Sequence, residues 1–195
     1  SDLSFSFTAL EVAMMGRYPH LEGPEGAVDY AIARGALRLT GVEELEQRIY
    51  PTLSGGEKQR VQLSKAVAQI WDPPQEGDRY LLLDEPTSSL DLSHQHRLLA
   101  SARGFVEDGV GVCVVLHDLN LAAQYANRIT VLKDGRQLAT GTPEEIIEPN
   151  LVLEAFEFEV QVVEHPTLGC PLMIPLPDQM GTVQKEGFDE ESIAC

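Results

Sequence analysis

Apolar residues recur with a helical period through the first third of the chain and gather into short strand-like runs beyond it. Thr8-Ala9-Leu10-Glu11 reads as a capping box that opens a short helix ending near Gly16. Between residues 27 and 50, Ile32, Ala36, Leu37, Leu39, Val42, Leu45 and Ile49 fall on helical stripes, broken near Gly41. Ser54-Gly55-Gly56-Glu57 is a second S-x-x-E box. Its helix is expected to bury Val61, Leu63, Ala66, Val67 and Ile70, and Asp72-Pro73-Pro74 stops it. Tyr80 to Leu83 is apolar throughout, the pattern of a strand covered on both faces in a parallel sheet. Residues 93–107 read as helix, 110–116 as a second buried strand, 118–127 as helix and 129–132 as a third strand. Asp134-Gly135, between Lys133 and Arg136, marks a hairpin turn. Thr142-Pro143-Glu144-Glu145 supplies an N-cap, a proline at N1 and a glutamate at N3, and so opens another helix. Alternation from Phe156 through Val162 predicts one or two further strands. From Asp178 the chain turns polar, acidic and aperiodic, and it reads as frayed or disordered.

Strand, helix, strand, helix, strand in this order predicts right-handed βαβ crossovers and an α/β fold with a mainly parallel sheet. The expected divisions are a helical segment over 1–72, a core segment over 73–177 and the tail over 178–195. With 195 residues, 43% of them hydrophobic and 23% charged, the chain has the composition for one sizeable core. Lys and Arg total 14 against 31 Asp and Glu, and the net charge of -17 repels phosphate backbones and anionic lipid. That argues against a nucleic-acid partner. Runs such as Val110 to Leu116 fall far short of the roughly 20 residues of a membrane-spanning helix. Cys113, Cys170 and Cys195 are odd in number and lack C-x-x-C spacing, which fits a reduced, cytosolic compartment. Cys113, inside an apolar run, is expected to be a buried free thiol. The chain opens Ser1-Asp2-Leu3 without a Met or a signal-type segment, and Ser1 is not expected to be a native start.

Three places carry candidate chemistry. The helix behind Ser54 presents unsatisfied N–H groups and a partial positive charge, which attract phosphate. Gly55 and Gly56 let the backbone come close, and the Ser54 hydroxyl can donate to a phosphate oxygen. S-G-G alone is no more than a capped helix start. Leu53 before it and Glu57-Lys58-Gln59-Arg60 after it make the phosphate reading the stronger one. The second place is Asp84-Glu85 at the carboxyl end of the Tyr80 strand, where α/β sheets open onto a ligand crevice. One carboxylate there can hold Mg²⁺ and its neighbour can polarise an attacking water as general base. His117, at the end of the next strand, should emerge on the same rim and can hydrogen-bond a γ-phosphate. His94 and His96 stand two apart on a helix and face different ways, so they read as surface or packing residues rather than metal ligands.

Leu53-Ser54-Gly55-Gly56-Glu57 and Leu81-Leu82-Leu83-Asp84-Glu85-Pro86, followed by Ser88-Ser89-Leu90-Asp91 and His117, resemble the ATP-binding subunit of ATP-binding cassette (ABC) transporters over nearly the whole chain except its tail. Finer similarity, in Arg48 to Glu57, Asp91 to His96, Val115 to Ala123 and His165 to Gly169, points to the iron-chelate and cobalamin importer branch, closest to its hemin importers. The resemblance implies a partial P-loop NTPase fold with a helical signature subdomain and its N-terminal strands absent. It makes Leu53, Ser54, Gly55, Gly56 and Glu57 the signature loop, which binds ATP in trans. Asp84 becomes the Mg²⁺ residue, Glu85 and His117 the catalytic residues, and Ser89 and Asp91 part of the D-loop. ATP and Mg²⁺ are the implied cofactors. The implied partners are a second ATPase subunit in a homodimer, a transmembrane permease and, indirectly, a periplasmic hemin-binding protein. The implied location is the cytoplasmic face of the bacterial inner membrane, reached through the permease.

One departure from the family is large: no G-x-x-x-x-G-K-[ST] occurs, nor any Gly-Lys pair. The 195 residues alone are therefore expected to bind MgATP very weakly and to hydrolyse none, and to leave apolar sheet surface uncovered. An iron-siderophore or cobalamin importer is the alternative within the branch. A non-transport ABC ATPase acting on DNA or ribosomes would call for basic patches or long coiled coils that this sequence lacks, and a permease-docking module without turnover is a further class.

Overall fold

A computed structural model describes residues 6–73, 77–88 and 90–176. Helix α1 (Ala9–Met14) begins at the expected capping box, with the Glu11 N–H donating to Thr8 Oγ1 at 3.2 Å and the Thr8 N–H donating to Glu11 Oε2 at 2.7 Å. It tightens into a 3₁₀ turn, Met15–His20. Helix α2 (Ala27–Leu39) ends sooner than the apolar stripes suggest. The Val42 N–H reaches back to the Leu37 carbonyl at 2.9 Å and the Gly41 N–H to the Arg38 carbonyl at 3.1 Å, with Gly41 at φ +70°. This pair of reversed bonds needs a left-handed residue, which glycine supplies. A Cβ at position 41 would also meet the His94 ring at 2.6 Å. Beyond Gly41 the expected helix is replaced by 3₁₀ turns at Glu43–Leu45 and Tyr50–Thr52, which lead into α3 (Gly55–Gln69).

Strands β1 (Arg79–Asp84) and β2 (Val110–Val115) run parallel, joined through α4 (Leu92–Glu107) as a βαβ unit. Ile32 and Ala36 of α2, Leu63 and Val67 of α3, and Leu98 of α4 form one core with Leu81, Leu83 and Val110. Only that face of the pair is covered. Leu81 is 4% exposed, whereas its neighbour Leu82 is 76% exposed, so the expectation of strands buried on both faces is corrected. Cys113 is corrected with it: it stands beside Leu82 in register on the open face and is an exposed free thiol. A continuous apolar run reports what a strand is able to bury, and the covering surface decides what it does bury.

The third strand does not join this pair. β3 (Ile129–Lys133) folds back antiparallel onto β4 (Arg136–Gly141) through Asp134 at φ +51° and Gly135 at φ +73°, the two positive values of a tight hairpin turn. Among the described strands only β1–β2 is parallel. Helix α5 (Leu119–Tyr125) precedes β3. Helix α6 (Pro143–Ile146) opens at the expected Thr142 box, and α7 (Pro149–Phe156), unforeseen, follows it and ends on left-handed Glu157. Lys133 Nζ donates to the Glu154 carbonyl at 2.5 Å and lies 3.1 Å from Glu157 Oε1, which ties α7 to β3. β5 (Val160–Glu164) and β6 (Pro171–Pro175) are further strands, of which one or two were expected, and they pair antiparallel. Contacts group the chain into two units, Ser1–Leu121 and Ala122–Cys195, so the boundary expected at residue 72 falls inside the first. No helix among the described residues is long and apolar enough to cross a membrane. The tail expected to be frayed, 178–195, lies outside the described residues.

Candidate functional site

Asp84 closes β1 and is exposed at its carboxyl end. The next residue, Glu85, has φ +44°, a left-handed backbone that side-chain-bearing residues seldom hold. Three donors meet on its carbonyl oxygen: the Ser88 N–H at 3.2 Å, the Ser88 hydroxyl at 3.0 Å and the Gln59 amide at 3.4 Å. The turn sends the Glu85 carboxylate toward the end of β2, where Oε1 lies 2.7 Å from His117 Nε2. Both side chains are open to water, with 46% and 76% of their area exposed, so the contact adds little to stability. Its value is chemical: a carboxylate and an imidazole side by side at the mouth of a βαβ unit can take, hold and return a proton.

The turn after Glu85 is secured from α4. The Gln95 amide donates to the carbonyls of Thr87 and Leu90, both at 3.1 Å. Asp91 is the N-cap of α4, accepting from the His94 N–H at 2.9 Å, and its Oδ1 lies 2.8 Å from His94 Nδ1. The His94 N–H, followed by the His94 ring, holds the Asp91 carboxyl below the usual aspartate range. Ser89 lies outside the described residues.

Leu53 is buried, and Ser54, the N-cap of α3, is exposed. The Ser54 N–H donates to Glu57 Oε2 at 2.7 Å and the Glu57 N–H returns to Ser54 Oγ at 3.4 Å. The Ser54 N–H, followed by its hydroxyl, draws the Glu57 carboxyl below the ordinary range. Gly55 and Gly56 form the first turn, and a Cβ built on Gly55 would meet nothing within 4 Å, so its backbone is open to a ligand's approach. Ser54 bonds within its own capping box, while Glu85 bonds His117; the link between the two motifs is Gln59, on α3. A cavity of about 220 Å³ separates α3 from the end of β1, lined by Gln59, Arg60, Leu63, Leu82, Asp84 and Pro86. Gln59 and Gln95 were visible in the sequence only as neighbours of motif residues. Nothing in the pattern told which carbonyls their amides meet.

No family model matches the chain. Among curated proteins it is 56% identical over 176 residues to the hemin import ATP-binding protein HmuV of Gloeobacter violaceus, aligned over 90% of this chain and 64% of that protein. It is 53% identical over 175 residues to the protein of the same description from Myxococcus xanthus, covering 90% and 66%. The match to that of Pseudomonas fluorescens is 47% over 174 residues, covering 89% and 67%. The chain thus spans about two thirds of these relatives' length. Among solved structures, a metal-chelate type ABC transporter in an inward-facing conformation shares the fold, with TM-score 0.67 and 24% identity over 91% of this chain and 70% of that one. A dimeric ATP-binding cassette in a post-hydrolysis state, bound to ADP and Pi, aligns with TM-score 0.60 and 29% identity over 70% of this chain and 56% of that one. The capped Gly-rich helix, the acidic strand end and this likeness in sequence and fold agree, and the chain belongs to the family of ABC ATP-binding proteins to which the hemin import ATP-binding proteins belong.

Proposed function

We propose that this chain forms the signature-bearing and catalytic part of the ATPase that drives hemin import. The observation that carries the reading is the Glu85–His117 contact of 2.7 Å at the end of β1, in the same unit as the capped Gly-rich start of α3. Asp84 offers the hard carboxylate oxygen that Mg²⁺ takes alongside phosphate and water oxygens, so the residue present suits that ion. When bound, Mg²⁺ supplies charge neutralisation of the β- and γ-phosphates. Glu85 orients and deprotonates the attacking water, and His117, whose Nε2 meets the Glu85 carboxylate, turns that N–H toward the γ-phosphate when nucleotide is bound. Ser54 and the first N–H groups of α3 complete the nucleotide site of a second copy. Energy reaches a transmembrane permease on the cytoplasmic face of the inner membrane, and a periplasmic hemin-binding protein acts indirectly by delivering cargo to it. The test is hemin uptake by proteoliposomes that hold the permease and the complete gene product. ATP-dependent uptake that Glu85→Gln abolishes is the expected result. Uptake without ATP, or ATP-driven uptake of cobalamin in place of hemin, would overturn the assignment.

A further inference from the structure

The carbonyl of Glu85 gathers three donors, and they differ in origin. Two belong to Ser88, inside the same turn, and move with Glu85 whenever that turn moves. The third, the Gln59 amide, reaches in from α3. It ties the Glu85 carbonyl itself to α3, as the Gln95 amide ties the carbonyls of Thr87 and Leu90 to α4. Gln59 lies five residues after Ser54 on one uninterrupted helix, a rise of about 7 Å. It also lines the cavity beside Asp84, so its side chain is on the β1 side of α3. A left-handed glutamate is a backbone state that its surroundings must impose. A tether on its carbonyl helps to impose it, because holding that carbonyl restrains ψ of Glu85 and so the local backbone from which the carboxylate projects.

We infer that Gln59 is a positioning residue for hydrolysis: it sets the Glu85 carboxylate by holding the Glu85 carbonyl, and it ties that setting to the position of the helix whose start carries Ser54. The inference rests on the reading of Glu85 as general base. One helix then serves two sites. Its first turn meets the nucleotide of the partner copy, and five residues on it governs the base of its own copy. A ligand that shifts α3 thereby alters the geometry of the carboxylate, a link made by a neutral amide and insensitive to salt.

The test compares Gln59→Met, which keeps length without a donor, and Gln59→Glu, which keeps shape and puts an acceptor against the carbonyl. Both are measured beside wild type and Glu85→Gln in the complete gene product within its transporter complex. Each Gln59 variant is expected to lose roughly ten- to a hundredfold in kcat, with KM for ATP within about twofold of wild type and an unchanged melting temperature. Wild-type kcat in either folded variant would overturn the inference, as would a raised KM with kcat retained. A fall in kcat that tracks a fall in melting temperature would assign Gln59 a structural role and overturn it too. If Glu85→Gln turns over like wild type, the reading of Glu85 fails first and takes the inference with it. If Glu85→Gln is inactive while the Gln59 variants are normal, the inference fails alone.

Discussion

Glu85 holds its left-handed backbone at a cost of about 1 kcal/mol that a glycine would not incur. Glu85→Gly is therefore expected to raise the urea unfolding midpoint while removing the proposed base, and a lowered midpoint would refute stored strain at this turn. Glu57 offers a test by pH. Its carboxyl titrates below the ordinary value of 4.5 because the Ser54 N–H, and after it the Ser54 hydroxyl, donate to the charged form. The folded state thus releases this proton more readily than the unfolded chain. Its contribution is complete above the ordinary value and fades as pH falls through the lower folded one. Glu57→Gln should flatten that part of the acid limb of a stability–pH profile, lowering stability at neutral pH and converging on wild type at low pH. At this scale the sequence was informative about types. The positions of Asp84 and Glu85 at the end of β1, and of His117 just past β2, could be read because a strand end needs few coordinates to place. Cys113 was misread because burial depends on a neighbour's surface, and Gln59 was given no partner because that partner is a backbone atom 26 residues away.

Arg17 dominates the packing of the helical elements. It is 3% exposed, donates to the Ala68 carbonyl at 2.9 Å, and pairs with Asp29 at 3.3 Å and Asp72 at 2.5 Å. One guanidinium so ties the turn after α1 to the start of α2 and the end of α3. Arg17→Met would leave the Ala68 carbonyl without this donor and two acids without their cation. Because both acids keep some water, a loss of about 2 kcal/mol is expected in denaturant unfolding, and a loss below about 0.5 would contradict the clamp. Elements that start at a local signal were legible: the boxes at Thr8, Ser54 and Thr142 and the Asp134-Gly135 turn all depend on residues three apart or fewer. The break near Gly41 was legible, where the reversed bonds to Leu37 and Arg38 end α2, but the stripes that continue past it fold as 3₁₀ turns rather than helix.

The whole molecule carries an open apolar face on β1 and β2, with Tyr80, Leu82 and Val115 among the exposed large side chains and Cys113 beside Leu82. Faces of this kind draw partners or aggregate. A maleimide added to the native 195-residue chain should modify Cys113 within the time it takes to modify a small-molecule thiol, as read by peptide mass. Protection of Cys113 until denaturation would show the face to be covered. Family membership was readable from motifs that occupy a small part of the chain, while which faces are covered and which amides hold which carbonyls required the folded molecule. Everything proposed for activity turns on one carboxylate beside one imidazole. The most direct measurement is therefore the ATP hydrolysis rate of Glu85→Gln in the complete gene product within its transporter complex. The expected result is a fall in kcat of roughly 10² to 10³ with ATP binding retained. Hydrolysis by Glu85→Gln at the wild-type rate would contradict the account.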